Sequence, residues 1–291
     1  MSDPRIATFA RVASGNIPAK RIIEGQNTKL TRVAHGITYD PVHDLIIATE
    51  PLAASIVFFR GGAHGDVPPV RVIQGNKTLI HSPYEPSVDN QHNELWIADI
   101  TSGALRVYPL EDNGNIAPLR NIQGPKTQLF SITGVAVDPV HDLVVAAGLN
   151  RQYRPCIFIF RRTDNGDVAP LRVISGPTTG LEYIWHVQVA GQRIFATASN
   201  FYYIPPYDPG GHEPRKDCTG PPLPFPGPLG FIGVWNESDN GDVAPRAIIR
   251  GAQTDLLHPV GLVLDPAHGQ VFASDSVRNG VFGFLVPNFF K

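Results

Sequence analysis

Four of the ten histidines, His35, His81, His186 and His258, share one kind of place in the chain. Each lies where the chain runs into a short apolar strand, as in "AHGITYD" (34–40) and "HPVGLVLD" (258–265). Neutral imidazoles gathered from separate segments suit zinc, iron or copper. His35, His186 and His258 are therefore the candidate ligands of a divalent metal ion, zinc or iron. No local spacing such as HExxH supports them, so only tertiary structure would bring them together. The alternative is that each imidazole bonds a backbone group at a loop end.

Glu85 adds a carboxylate to the same set. The stretches "AHGITYDP" (34–41), "ITGVAVDP" (132–139) and "PVGLVLDP" (259–266) keep a glycine four residues before an aspartate. At that position "SPYEPSVDN" (82–90) carries Glu85, and "YIWHVQVAG" (183–191) carries His186. Glycine there permits close approach of backbones, whereas a buried carboxylate is costly unless paired, hydrogen-bonded or bound to a cation. Glu85 is the candidate general base, with Tyr84 beside it as a second catalytic candidate. Tyr183, Trp185, His81 and Tyr203 are candidate substrate contacts. The competing reading of Glu85 is a salt bridge to a nearby arginine.

These residues are positioned by a repeat of about fifty residues, the kind of period that marks propellers and solenoids. Five segments align: "GNIPAKRIIEG" (15–25), "GDVPPVRVIQG" (65–75), "GNIAPLRNIQG" (114–124), "GDVAPLRVISG" (166–176) and "GDVAPRAIIRG" (241–251). A threonine follows each closing glycine by three residues: Thr28, Thr78, Thr127, Thr179 and Thr254. "DNG" at 112–114, 164–166 and 239–241 reads as a type I′ hairpin turn. Proline near the start of the next strand (Pro69, Pro118, Pro170, Pro245) makes that strand an edge. Four antiparallel strands per repeat and no helical periodicity predict an all-β propeller of four-stranded blades. Five inner and five outer strands give five blades, with the N- and C-terminal strands sharing one. One third strand is left over, "IATFAR" (6–11) or "VFGFL" (281–285), which keeps a sixth blade open. Residues 1–291 read as a single propeller domain.

The run of glycine, apolar pair, aspartate, short turn and "IAT" or "IAD" resembles NHL-type β-propeller repeats over nearly the whole chain. The resemblance implies the fold, usually with six blades, and leaves function open because this scaffold carries enzymes and binding modules alike. As analogy, some related propellers are lyases that hold zinc through channel histidines, and others are lactonases that hold a divalent cation.

Recurrence also sorts the remaining polar residues. His43, His92, His141 and His268 sit three residues after the aspartate position, which marks them as architectural. Glu50, Asp99 and Asp275 share another position and read as loop caps. His64 falls in the turn before an outer strand. One large departure in length, residues 201–230, carries nine prolines and five glycines with several aromatics, including Tyr203. A long ordered loop of this kind usually has a function, and it reads as a lid over the face that carries the histidines, or as a subunit contact. Cys218 lies in it, and with Cys156 forms the one disulfide the chain could make.

A formal net charge of −2 gives no reason to expect a nucleic acid or membrane partner. The opening "MSDPRIATFARV" lacks a signal-peptide profile, so a cytoplasmic location is expected. The function expected is a metal-dependent lyase or hydrolase acting on a small polar molecule at the capped channel mouth. The alternative is a non-catalytic binding or scaffold propeller with the proline-rich insertion as its partner surface, and a homo-oligomer is compatible with either.

Overall fold

In a computed structural model of the chain, residues 4–199 and 230–290 are described. The insertion with Tyr203, His212 and Cys218 lies outside the described residues, so the lid and the disulfide do too. The described residues are all β, with short 3₁₀ turns and no α-helix. They form a β-propeller of five blades.

The first blade is β3 (Ile37–Asp40), β4 (Leu45–Glu50), β5 (Ser55–Arg60) and β6 (Arg71–Gln74), paired in that order. The second is β7 (Pro83–Asp89), β8 (Glu94–Asp99), β9 (Ala104–Pro109) and β10 (Arg120–Ile122). The third is β11 (Leu129–Asp138), β12 (Leu143–Asn150), β13 (Pro155–Arg161) and β14 (Arg172–Ile174). The fourth is β15 (Tyr183–Ala190), β16 (Arg193–Ser199), β17 (Phe231–Asn236) and β18 (Ala247–Ile249). The last inner strand opens a three-stranded sheet, β19 (Pro259–Asp265), β20 (Gln270–Asp275) and β21 (Gly280–Leu285). A two-stranded sheet, β1 (Arg5–Thr8) with β2 (Arg21–Glu24), precedes the first blade. The surplus third strand of the sequence is thus real: β1 and β21 both hold that place.

The chain divides into two compact units, residues 1–153 with 157–171, and residues 154–156 with 172–291. In the first, Ile47, Phe58, Ile73, Leu95, Ile97 and Tyr108 belong to one buried cluster. In the second, Phe195, Ile232, Val234, Leu256, Leu262 and Val271 do the same. The middle strands β4 and β8 are buried along their whole length, which explains their unbroken apolar runs.

The turn after each third strand differs from the expected tight hairpin. β9 and β10 are separated by residues 110–119, and of Asn113 and Gly114 only the glycine has positive φ. A type I′ turn needs positive φ at both central residues, so these are not type I′ turns. The turn instead reaches the outer strand of the preceding repeat. Asn113 Oδ1 accepts from Val72 N at 2.8 Å, Gly114 N donates to Val72 O at 2.7 Å, and Asn115 Oδ1 accepts from Lys77 N at 2.8 Å. The same latch recurs with Asn165, Gly166 and Asp167 on Asn121 and Lys126, and with Asn240, Gly241 and Asp242 on Val173 and Thr178. The prolines precede the outer strands rather than opening them, and those strands are the sheet edges, as expected.

Candidate functional site

The inner strands begin irregularly, and this is where the candidate residues sit. β7, β11, β15 and β19 each carry a bulge near the start: between Pro83 and Pro86, Ile132 and Gly134, Ile184 and His186, Pro259 and Gly261. A bulge re-aims side chains and often lies beside a functional site. Its recurrence makes the bulge architecture; the residues that occupy it are what differ.

In the first unit the bulge of β7 holds Tyr84 and Glu85. A Cβ on Gly36 would lie 2.0 Å from Tyr84 O and 2.9 Å from Glu85 Cα, so glycine is required there by close approach. Gly36 N donates to Thr49 Oγ1 at 2.8 Å, and that hydroxyl donates in turn to Tyr84 O. His35 stacks on the Tyr84 ring with centroids 3.6 Å apart. Glu85 is 2% exposed. Burial pushes the Tyr84 phenol above its ordinary value, so it stays protonated at neutral pH. His81 is exposed and donates its backbone N–H to Asp99 Oδ2 at 2.7 Å.

In the second unit Tyr183, Trp185 and His258 come together. Tyr183 and Trp185 have centroids 4.6 Å apart, and the edge of Trp185 meets His258 at 4.9 Å. His258 is 4% exposed and fixed on three sides. Its N–H donates to Asp275 Oδ2 at 2.6 Å, its carbonyl accepts from Ser276 N at 3.1 Å, and its Nδ1 lies 2.9 Å from Ser199 Oγ. Trp185 Nε1 donates to the same hydroxyl at 2.9 Å. Burial lowers the His258 pKa and Asp275 opposes that in part, leaving a neutral ring at pH 7. His186 is only half-buried and its Nε2 lies 3.1 Å from Gln188 Nε2.

The indole N–H can only donate, so Ser199 Oγ accepts from Trp185. The serine oxygen keeps a second lone pair and a hydrogen that can turn to His258 Nδ1, so the contact at Nδ1 serves either tautomer. With the serine donating, Nδ1 is the acceptor and Nε2 carries the proton. Among the described residues Nε2 has no hydrogen-bond partner. A lone pair at Nε2, which a metal would need, requires the reverse tautomer, in which the ring donates to the serine and the serine hydrogen has no acceptor among the described residues.

The architectural assignments hold. His43, His92, His141 and His268 each place Nδ1 2.6–2.8 Å from the aspartate three residues before. Glu50 caps Thr31, Asp99 caps His81 and Ser82, and Asp275 caps Leu257, His258, Val277 and Arg278 through backbone N–H groups. Ser199 was missed; the only signal available was its place at the foot of the long insertion.

No protein-family model matches this chain, and no curated protein matches it. Solved structures do. Hydrazine synthase of Kuenenia stuttgartiensis is 10% identical with a TM-score of 0.54 over 89% of this chain, which spans 58% of that one. A chain of a nidogen/laminin complex is 11% identical with a TM-score of 0.61 over 99% of this chain and 88% of that one. Such likeness defines the class, a β-propeller, and nothing finer.

Proposed function

We propose that this protein is a ligand-binding propeller that takes a small polar molecule carrying a hydrogen-bond acceptor, such as a carbonyl or carboxylate. Tyr183 and Trp185 would supply the aromatic wall and His258 Nε2–H the donor. The observation that carries the reading is the Trp185–Ser199–His258 relay, which anchors one buried imidazole at Nδ1 with Nε2 toward no described partner. Aromatic walls with a few placed polar groups are the usual makeup of small-molecule sites. The NHL-type reading of the repeats rests on their glycine–apolar–aspartate pattern and fits this role.

A metal-dependent lyase or hydrolase, with zinc or iron on His258, is the second reading. Its support is the neutrality of the buried His258 ring, since a metal binds the unprotonated imidazole. The two readings demand opposite tautomers. Nitrogen-15 NMR of the histidines, before and after adding zinc, iron(II) or a series of small carboxylates and lactones, separates them. Protonated Nε2 that shifts with a carboxylate or lactone supports binding. Stoichiometric metal that deprotonates Nε2, followed by turnover of a lactone, supports the enzyme. No response of His258 to any of them sinks both.

A further inference from the structure

The latch between successive repeats uses asparagine at Asn113, Asn165 and Asn240, and histidine at one place only, His64. In "GGAHGDV" (61–67) His64 occupies the position that asparagine holds in "DNGN" and "DNGD". It does the same work. His64 Nδ1 accepts from Ile22 N at 3.1 Å, while the three asparagines accept at 2.8–2.9 Å from the equivalent amides. The rest of the latch is unchanged: Gly65 N donates to Ile22 O at 2.7 Å, Glu24 N to Gly65 O at 3.3 Å, and Asn27 N to Asp66 Oδ1 at 2.8 Å.

An amide oxygen accepts at any pH, but an imidazole nitrogen accepts only while it is unprotonated. When the ring takes a proton, both nitrogens become donors, and Nδ1–H then faces the N–H of Ile22. The bond is lost and two donors oppose each other. The charged groups carried by the facing elements are Arg21 and Glu24 on β2, and Arg60 and Asp66 at the two ends of the turn. Arg21 is turned to Gly61 O at 3.0 Å and Asp66 is held by Asn27 through both carboxylate oxygens. The arginines can only donate, and both Asp66 oxygens are engaged with Asn27. The apolar contacts of Ile6 and Ile23 with Ile46, Val57 and Phe59 are indifferent to the proton, so the sheet stays packed while its latch loosens.

We propose that His64 makes the docking of the β1–β2 sheet on the first blade proton-sensitive, a switch absent from the three asparagine latches. The experiment is amide hydrogen exchange of the whole chain by NMR between about pH 7.5 and about pH 5, the range in which histidine changes charge. Rates are corrected for intrinsic exchange and compared with the Val72, Asn121 and Val173 amides as internal references. Protection of Ile22 falls about five- to tenfold on acidification, as expected for one net hydrogen bond, while the three references hold. His64→Asn removes the fall and keeps protection at neutral pH; His64→Ala lowers protection at every pH. Ile22 tracking the references across the range overturns the proposal, and so does a fall that persists in His64→Asn.

Discussion

Ser199 decides what His258 can do. Its hydroxyl accepts from Trp185 and lies 2.9 Å from the ring Nδ1, and serine and ring are 2% and 4% exposed. Ser199→Ala takes this partner from the half-buried Trp185 indole N–H and from the buried His258 Nδ1. The expected cost is about 1–3 kcal/mol, read as a lower urea midpoint with an unchanged slope. The His258 tautomer should also lose its bias in the nitrogen-15 spectrum; an unchanged spectrum would remove the relay from the site. Little of this was legible in the sequence. The histidines of the aspartate turn could be read because recurrence at one position in four repeats is the mark of architecture. His258 could be singled out by its place, but its tautomer depends on a serine and a tryptophan far away in sequence, and a lone serine carries no pattern. Glu85 and His186 were visible because they break a rule that Gly36 shows to be steric.

At the scale of elements, the sequence made the strands plain and hid the link between repeats. In the sequence, "GD" or "GN" at one end of each motif and glycine at the other recur at a fixed spacing within a unit. In the structure they meet across units of the repeat: Asp167 sits over Gly124, and Asn115 over Gly75. That contact spans some forty residues, and periodicity within a repeat cannot show which repeat a turn will touch. The turn residues were therefore assigned to a hairpin, when asparagine is kept as an acceptor and glycine for its positive φ. Gly124 tests the difference. Its φ is 140°, and an added Cβ would lie 2.4 Å from Asp167 Cγ. Gly124→Ala should cost about 1–3 kcal/mol for the backbone alone, with further loss from the displaced carboxylate. Asp167→Ala removes only the bond to Lys126 N, at about 1 kcal/mol, typical of a lost cap. Equal midpoints for the two variants in urea would mean that turn and glycine are not in contact.

For the whole molecule, one buried group in each unit, Glu50 and His258, has a pKa that burial shifts away from its charged form, beside others such as Asp40 and Asp239 that are lowered by their hydrogen bonds. In the first unit Glu50 is fully buried, and its Oε1 has no hydrogen-bond partner among the described residues. Burial raises its pKa against the lowering effect of the two bonds from Thr31. In the second unit burial lowers that of His258. The signs are opposite. A carboxyl raised in the folded chain contributes stability that is complete below its unfolded value, about 4.3, and is lost as pH rises through the folded value. A histidine depressed in the folded chain contributes stability that is complete above its unfolded value, about 6.5, and is lost as pH falls. Glu50→Gln should therefore gain on the wild type from about pH 4 toward pH 7, and His258→Gln should gain on it from about pH 7 toward pH 5. Any constant offset from altered contacts leaves these slopes untouched, so urea midpoints measured across pH for the three proteins isolate the proton linkage. Parallel curves would mean that neither group is shifted in the folded chain. A slope confined to His258→Gln would keep the neutral imidazole on which both functional readings depend, while releasing Glu50 from any protonated role in the first unit.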